Sequence, residues 1–185
     1  TKARNVETAF FWLEESRVVN TSFAATEPNI GLEMRTNESS RKLFMADTGL
    51  LISHAFSEAK IQAEQLYRKL MKDKLEINKG MLVENIVAQM LRATGHKLYF
   101  FSSNSRTDAS NRMEIDFLIP KAVVSTRHNI HPIEVKSTTR YTLTSLSKFR
   151  EKYAEWVAEP IVVHYADLSM NDGILFLPIY MVEML

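Results

Sequence analysis

From residue 79 onward the apolar side chains alternate between helical and extended spacing, and that order leaves few folds open. Leu82, Val83, Ile86, Val87, Met90 and Leu91 form one stripe of a helix over 79–94, and Gly95 supplies its stop. Extended runs follow at 97–102, which is rich in aromatics, at 113–119 and at 131–137; a polar loop over 103–112 separates the first two. A second helical pattern covers 143–156, and further strands are expected at 161–165 and 174–179. Helix, three strands, helix, strand implies an α/β fold, a sheet covered by helices.

The first part of the chain is less regular. Residues 5–17 read as a helix with Val6, Phe10 and Leu13 on one face and Trp12 beside them. Extended pieces at 18–23 and 41–46 are separated by a polar stretch containing Pro28 and Gly31. A helix and two strands are what a truncated winged-helix unit looks like; an irregular α+β lead-in packed on the main domain fits the same residues. Asp47, Thr48 and Gly49 break the strand before a helical piece at 50–56, and 58–75 is rich in Glu, Gln, Lys, Leu and Met. The expected division is a winged-helix-like lead-in and connector over 1–56, a helical linker over 57–75 and the main domain over 76–185.

Composition narrows the chemistry. Lys and Arg number 23 against 22 Asp and Glu, a net charge of +1, so affinity for nucleic acid has to come from a local basic face. The absence of Cys excludes disulfides, thiolate zinc sites and cysteine nucleophiles, and fits a cytoplasmic location. No run approaches the roughly 18 apolar residues that span a bilayer, so no membrane partner is expected. The opening Thr1, in place of Met, is what a fragment of a longer chain shows, and no secretory signal follows it.

Four residues form a candidate reactive set. Residues two apart on a strand share a face. In 113–119, Met113, Ile115, Phe117 and Ile119 are expected on one face and Glu114 and Asp116 on the other. In 133–136, Ile133 and Val135 alternate with Glu134 and Lys136. If these strands are neighbours, Asp116, Glu134 and Lys136 converge. Two carboxylates suit Mg²⁺ or Mn²⁺, and a lysine can orient water or stabilise developing negative charge. Glu84 flanks the apolar stripe of its helix, where a carboxylate needs a cationic partner. A half-exposed strand alternates charged and apolar residues without any such role, so each element alone also reads as a solvated face. The combination in this order is more specific.

The segments 80–85, 114–119 and 133–136 resemble the motifs of the PD-(D/E)xK, restriction-endonuclease-like superfamily. Nearly the whole chain, including 42–51, resembles the C-terminal region of bacterial and archaeal AAA-type ATPases, domain of unknown function family 4143. That resemblance implies a restriction-endonuclease-like mixed sheet flanked by helices. It implies metal ligands at Asp116 and Glu134, a further acidic group at Glu84, a water-assisting Lys136, and an ATPase module upstream. Two departures are plain: Ile115, not Pro, precedes Asp116, and Phe149 stands four residues before Tyr153 where RecB-like nucleases have Gln.

No phosphate-binding loop of the Gly-x-x-x-x-Gly-Lys-Ser/Thr kind is present, so ATP hydrolysis is not expected of these residues. The five His are scattered without ligand spacing. Arg106, Arg112, Lys121, Arg127, Arg140 and Lys148 either ring the acidic site as phosphate contacts or form an ordinary solvated surface. The leading expectation is a metal-dependent phosphodiesterase acting on nucleic acid, DNA or RNA. The competing one is a non-catalytic module that binds nucleic acid or protein for an ATPase, its acidic cluster retained as an ion-pair network.

Overall fold

The computed structural model describes residues 3–29, 31–56, 64, 65, 68, 78–104, 108, 111–121 and 128–185. Four α-helices occur among them: α1 (Ala3–Glu15), α2 (Thr48–Ala55), α3 (Lys79–Ala93) and α4 (Thr144–Lys152). Eight strands are β1 (Val19–Ala25), β2 (Thr36–Met45), β3 (Leu98–Ser103), β4 (Met113–Pro120), β5 (Ile130–Val135), β6 (Ile161–His164), β7 (Ser169–Asn171) and β8 (Ile174–Pro178). All eight belong to one mixed sheet in the order β2-β1-β3-β4-β5-β6-β8-β7. The α/β architecture expected from the sequence is therefore present.

The centre of this sheet is buried on both faces. On one face α3 and the terminal 3₁₀ turn (Ile179–Met184) cover Phe44, Leu98, Phe117, Ile133, Val135 and Val163. On the other, α4 sets Leu146 and Phe149 against Tyr99, Phe101, Ile115, Leu118 and Ile130. Such strands read as nearly continuous apolar runs, as 161–163 does. Phe101, Phe149 and Tyr153 pack edge-on or tilted at 4.9–5.4 Å between ring centroids.

The helix and two strands of the lead-in are present, and their strands join the main sheet. β1 runs antiparallel to β2 and parallel to β3, pairing Ser22 with Leu98 and Ala24 with Phe100. β2 is longer than its apolar pattern indicates, because the ladder jumps from Arg41 to Asn37 and leaves Glu38–Ser40 looped out. The linker over 57–75 lies outside the described residues apart from helical Glu64, Gln65 and Arg68. The side chain of Val6 lies outside them too.

α4 ends at Lys152, four residues before the end of its expected pattern. The N–H groups of Trp156 and Val157 both turn back to the Tyr153 carbonyl, and Val157 then bridges to Ile130, drawing the chain onto the sheet. Among the described residues, no helix is long and apolar enough to cross a membrane.

Candidate functional site

Three elements carry the four expected residues. The Asn78 side chain opens α3 by accepting the Met81 N–H at 3.3 Å. Val83, Val87, Ala88 and Leu91 then face the core, and Glu84 sits half-buried at the margin of that stripe. β4 and β5 are antiparallel neighbours.

A bulge in β4 sets the position of Asp116. Phe101 pairs with Ile115 and Tyr99 with Leu118, so two residues, Asp116 and Phe117, stand opposite Phe100. The additional residue reverses the alternation. Met113 and Ile115 pack beneath α4, whereas Phe117 and Ile119 pack beneath α3. The expectation that all four share a face is therefore corrected: the period-2 pattern holds only on either side of the bulge.

The ladder between β4 and β5 ends at Phe117 and Ile133. Just past that point the Asp116 carboxylate takes over the free backbone donor, its Oδ2 accepting the Val135 N–H at 2.7 Å. Glu134, beside it, is only 7 % exposed. Its Oε1 accepts from Lys136 Nζ at 2.6 Å, while its Oε2 is buried with no hydrogen-bond partner. An orphaned carboxylate oxygen is costly in such surroundings.

The protonation behaviour records that cost. Burial, reinforced by the charge of Asp116 and opposed by Lys136, pushes Glu134 from 4.5 up to about 7. Burial and Asp116 likewise push Glu84 up to about 7, opposed by Lys42 and Lys136. Burial also raises Asp116, against the pull of the Val135 N–H, Lys42 and Lys136. The charge of Asp116 thus bears on both Glu84 and Glu134.

Two further residues complete the electrostatics. Lys42, on β2, forms an ion pair with Glu114 at 2.5 Å and lies 5.0 Å from the centroid of the Phe100 ring. Its pKa is raised: burial lowers it, but Glu114, Asp116 and Glu84 together outweigh burial. Sequence reasoning placed Lys42 only within a family-like stretch and gave it no role. Nothing in local spacing connects it to a carboxylate 72 residues later. Four carboxylates (Glu84, Glu114, Asp116, Glu134) face two ammonium groups (Lys42, Lys136), leaving two negative charges in excess when all are ionised.

That excess, the hard oxygen donors and the unpartnered Glu134 Oε2 fit a divalent cation. Asp116, whose carboxylate sits on the Val135 N–H, and its neighbour Glu134 are the residues that could hold one. Among the described residues, no three Asp, Glu or His side chains stand in a ready ligand geometry.

The remaining candidates do other work. His96 and His131 bond to the carbonyls of Leu185 and Glu159, and His164 bonds to the Tyr141 hydroxyl. Lys148 donates to the Arg112 carbonyl at 3.3 Å. Lys121 and Arg140 are exposed, and Arg106 and Arg127 lie outside the described residues.

Residues 79–182 match the family described as Domain of unknown function (DUF4143). The chain belongs to that family. No curated protein and no solved structure matches it. The DUF4143 match begins at the first residue of α3 and ends within the terminal 3₁₀ turn, so Glu84, Asp116, Glu134 and Lys136 all lie inside it and Lys42 lies outside.

Proposed function

We propose that this DUF4143 chain is a restriction-endonuclease-like, metal-dependent phosphodiesterase domain acting on nucleic acid, working with an AAA-type ATPase module. The observation that carries the reading is the buried Asp116–Glu134 pair at the end of the β4–β5 ladder, with one Glu134 oxygen unpartnered and Lys136 beside it. In this reading Asp116 and Glu134 hold Mg²⁺ or Mn²⁺, and Glu84 adds a third acidic group. The divalent ion, when bound, supplies Lewis-acid neutralisation of charge at the phosphate. Lys136 orients the attacking water and stabilises the negative charge that develops. Half-buried Glu84, with a pKa near 7, is poised to exchange a proton with that water at neutral pH.

A second reading is favoured by one contact. The 2.6 Å Lys136–Glu134 ion pair satisfies both charges in part without metal, as a non-catalytic interaction module requires. Cleavage assays separate the two. With Mn²⁺, the wild-type chain is expected to cut at least one of single-stranded DNA, duplex DNA and RNA. Folded Asp116→Asn and Glu134→Gln variants are expected to cut none. Folded wild-type protein that takes up no Mn²⁺ and leaves every polymer intact supports the interaction module instead.

A further inference from the structure

The stretch 42–51, which resembles a family signature, becomes intelligible residue by residue. Phe44 packs on Phe117 at 5.4 Å between centroids. Asp47 caps α2 by accepting the Leu50 N–H at 2.8 Å. Thr48 donates its N–H and its hydroxyl to Gln89 Oε1. Gly49 sits where a Cβ would come within 2.9 Å of the capping Asp47 oxygen. Asp47 and Gly49 build the corner between β2 and α2, while Phe44 and Thr48 tie it to β4 and α3.

Lys42 does not take part in that corner. Its side chain leaves β2 toward the acidic site and lines, with Glu84, an open cleft between β2 and the start of α3. Buried Asn85, the neighbour of Glu84, fixes the distance between the two elements. Its Oδ1 accepts the Met45 N–H at 2.7 Å and its Nδ2 donates to the Met45 carbonyl at 3.0 Å. The helix that presents Glu84 is thereby clamped to the strand that presents Lys42. The Lys42 side chain keeps 27 % of its surface exposed, beside a Glu114 partner that is 54 % exposed. An ammonium has three N–H donors, and the Glu114 ion pair engages one of them.

We propose that Lys42 is the site's phosphate-receiving group: it donates to a non-bridging oxygen of the nucleic-acid backbone while Asp116 and Glu134 serve the metal. This rests on the phosphodiesterase reading and assigns a substrate contact to a residue outside the matched family segment. Lys136, held against Glu134, is left to the water. The two lysines divide the work between substrate and nucleophile.

The test measures three quantities on the full chain as wild type, Lys42→Met and Lys42→Arg. These are Mn²⁺ affinity by calorimetry, melting temperature, and anisotropy of fluorescein-labelled phosphorothioate DNA, single-stranded and duplex. Lys42→Met is expected to bind Mn²⁺ at least as tightly as wild type, since a cation beside Asp116 and Glu84 is gone, and to melt close to it. It is expected to bind the DNA about tenfold more weakly or worse, with Lys42→Arg recovering most of that affinity. DNA binding by Lys42→Met equal to wild type overturns the proposal, as does wild-type protein that binds no DNA. Joint loss of Mn²⁺ affinity, DNA affinity and melting temperature also overturns it, making Lys42 a strut for Glu114. Failure of the phosphodiesterase reading shows separately, as wild-type protein without Mn²⁺ affinity.

Discussion

Replacing Glu134 with glutamine keeps the shape of the side chain and removes its titration. In the folded chain Glu134 holds its proton up to about pH 7, against 4.5 for an ordinary glutamate. At about 1.4 kcal/mol per tenfold change in proton affinity, that difference is worth about 3 kcal/mol. The sign follows from where protons are bound. Between 4.5 and about 7 the folded state holds the proton and the unfolded state has released it. Stability contributed by Glu134 is therefore present below 4.5 and lost as pH rises through about 7. Urea unfolding in EDTA at about pH 4 and about pH 8 measures the effect: wild type is expected to lose about 3 kcal/mol more than Glu134→Gln across that interval. Mn²⁺ at about a hundredfold above its dissociation constant should restore about 2.7 kcal/mol to wild type at the higher pH and little to the variant. Parallel pH profiles for the two proteins would refute the argument that a buried, poorly compensated carboxylate sits at the centre of this site.

Other substitutions probe the surroundings. Lys136→Ala strands the Glu134 carboxylate and is expected to cost about 3 kcal/mol at about pH 8, and little at about pH 4 where the group is protonated, by the same unfolding assay. Asn85→Ala removes both bonds to Met45 and the one to the Thr48 hydroxyl; a loss of about 2–3 kcal/mol in urea is expected. Gly49→Ala pushes a methyl group to within 2.9 Å of the Asp47 cap, which should cost about 1 kcal/mol and appear as a lower melting temperature.

Much of this arrangement is legible in the sequence because it depends on local periodicity. The stripe from Leu82 to Leu91 announces α3, and the Glu-x-Lys of 134–136 announces a strand ending in two charged residues. The bulge at Asp116 and Phe117 leaves no such trace. Residues 113–117 alternate in sequence as a regular strand does before the apolar run Phe117, Leu118 and Ile119, and only the pairing with β3 reveals that one residue is additional. The consequence is local but matters, since the bulge turns Phe117 and Ile119 to the face opposite Met113 and Ile115. β7 is also missed: three exposed residues, Ser169–Asn171, carry no apolar pattern and are a strand only through β8. Lys42 is hidden for a third reason. Its meaning lies in Glu114, Asp116 and Glu84, all supplied by other elements, and a charged residue on an edge strand looks the same with or without such company.

The order of binding affinities decides the central claim, that the acidic cluster is a cation site. Calorimetric titration of Mn²⁺ into the wild-type chain, with Asp116→Asn and Glu134→Gln alongside, reads it without needing a substrate. Binding by wild type, lost in both folded variants, is the expected result. A wild-type chain that takes up no Mn²⁺, or variants that bind it as wild type does, would contradict it.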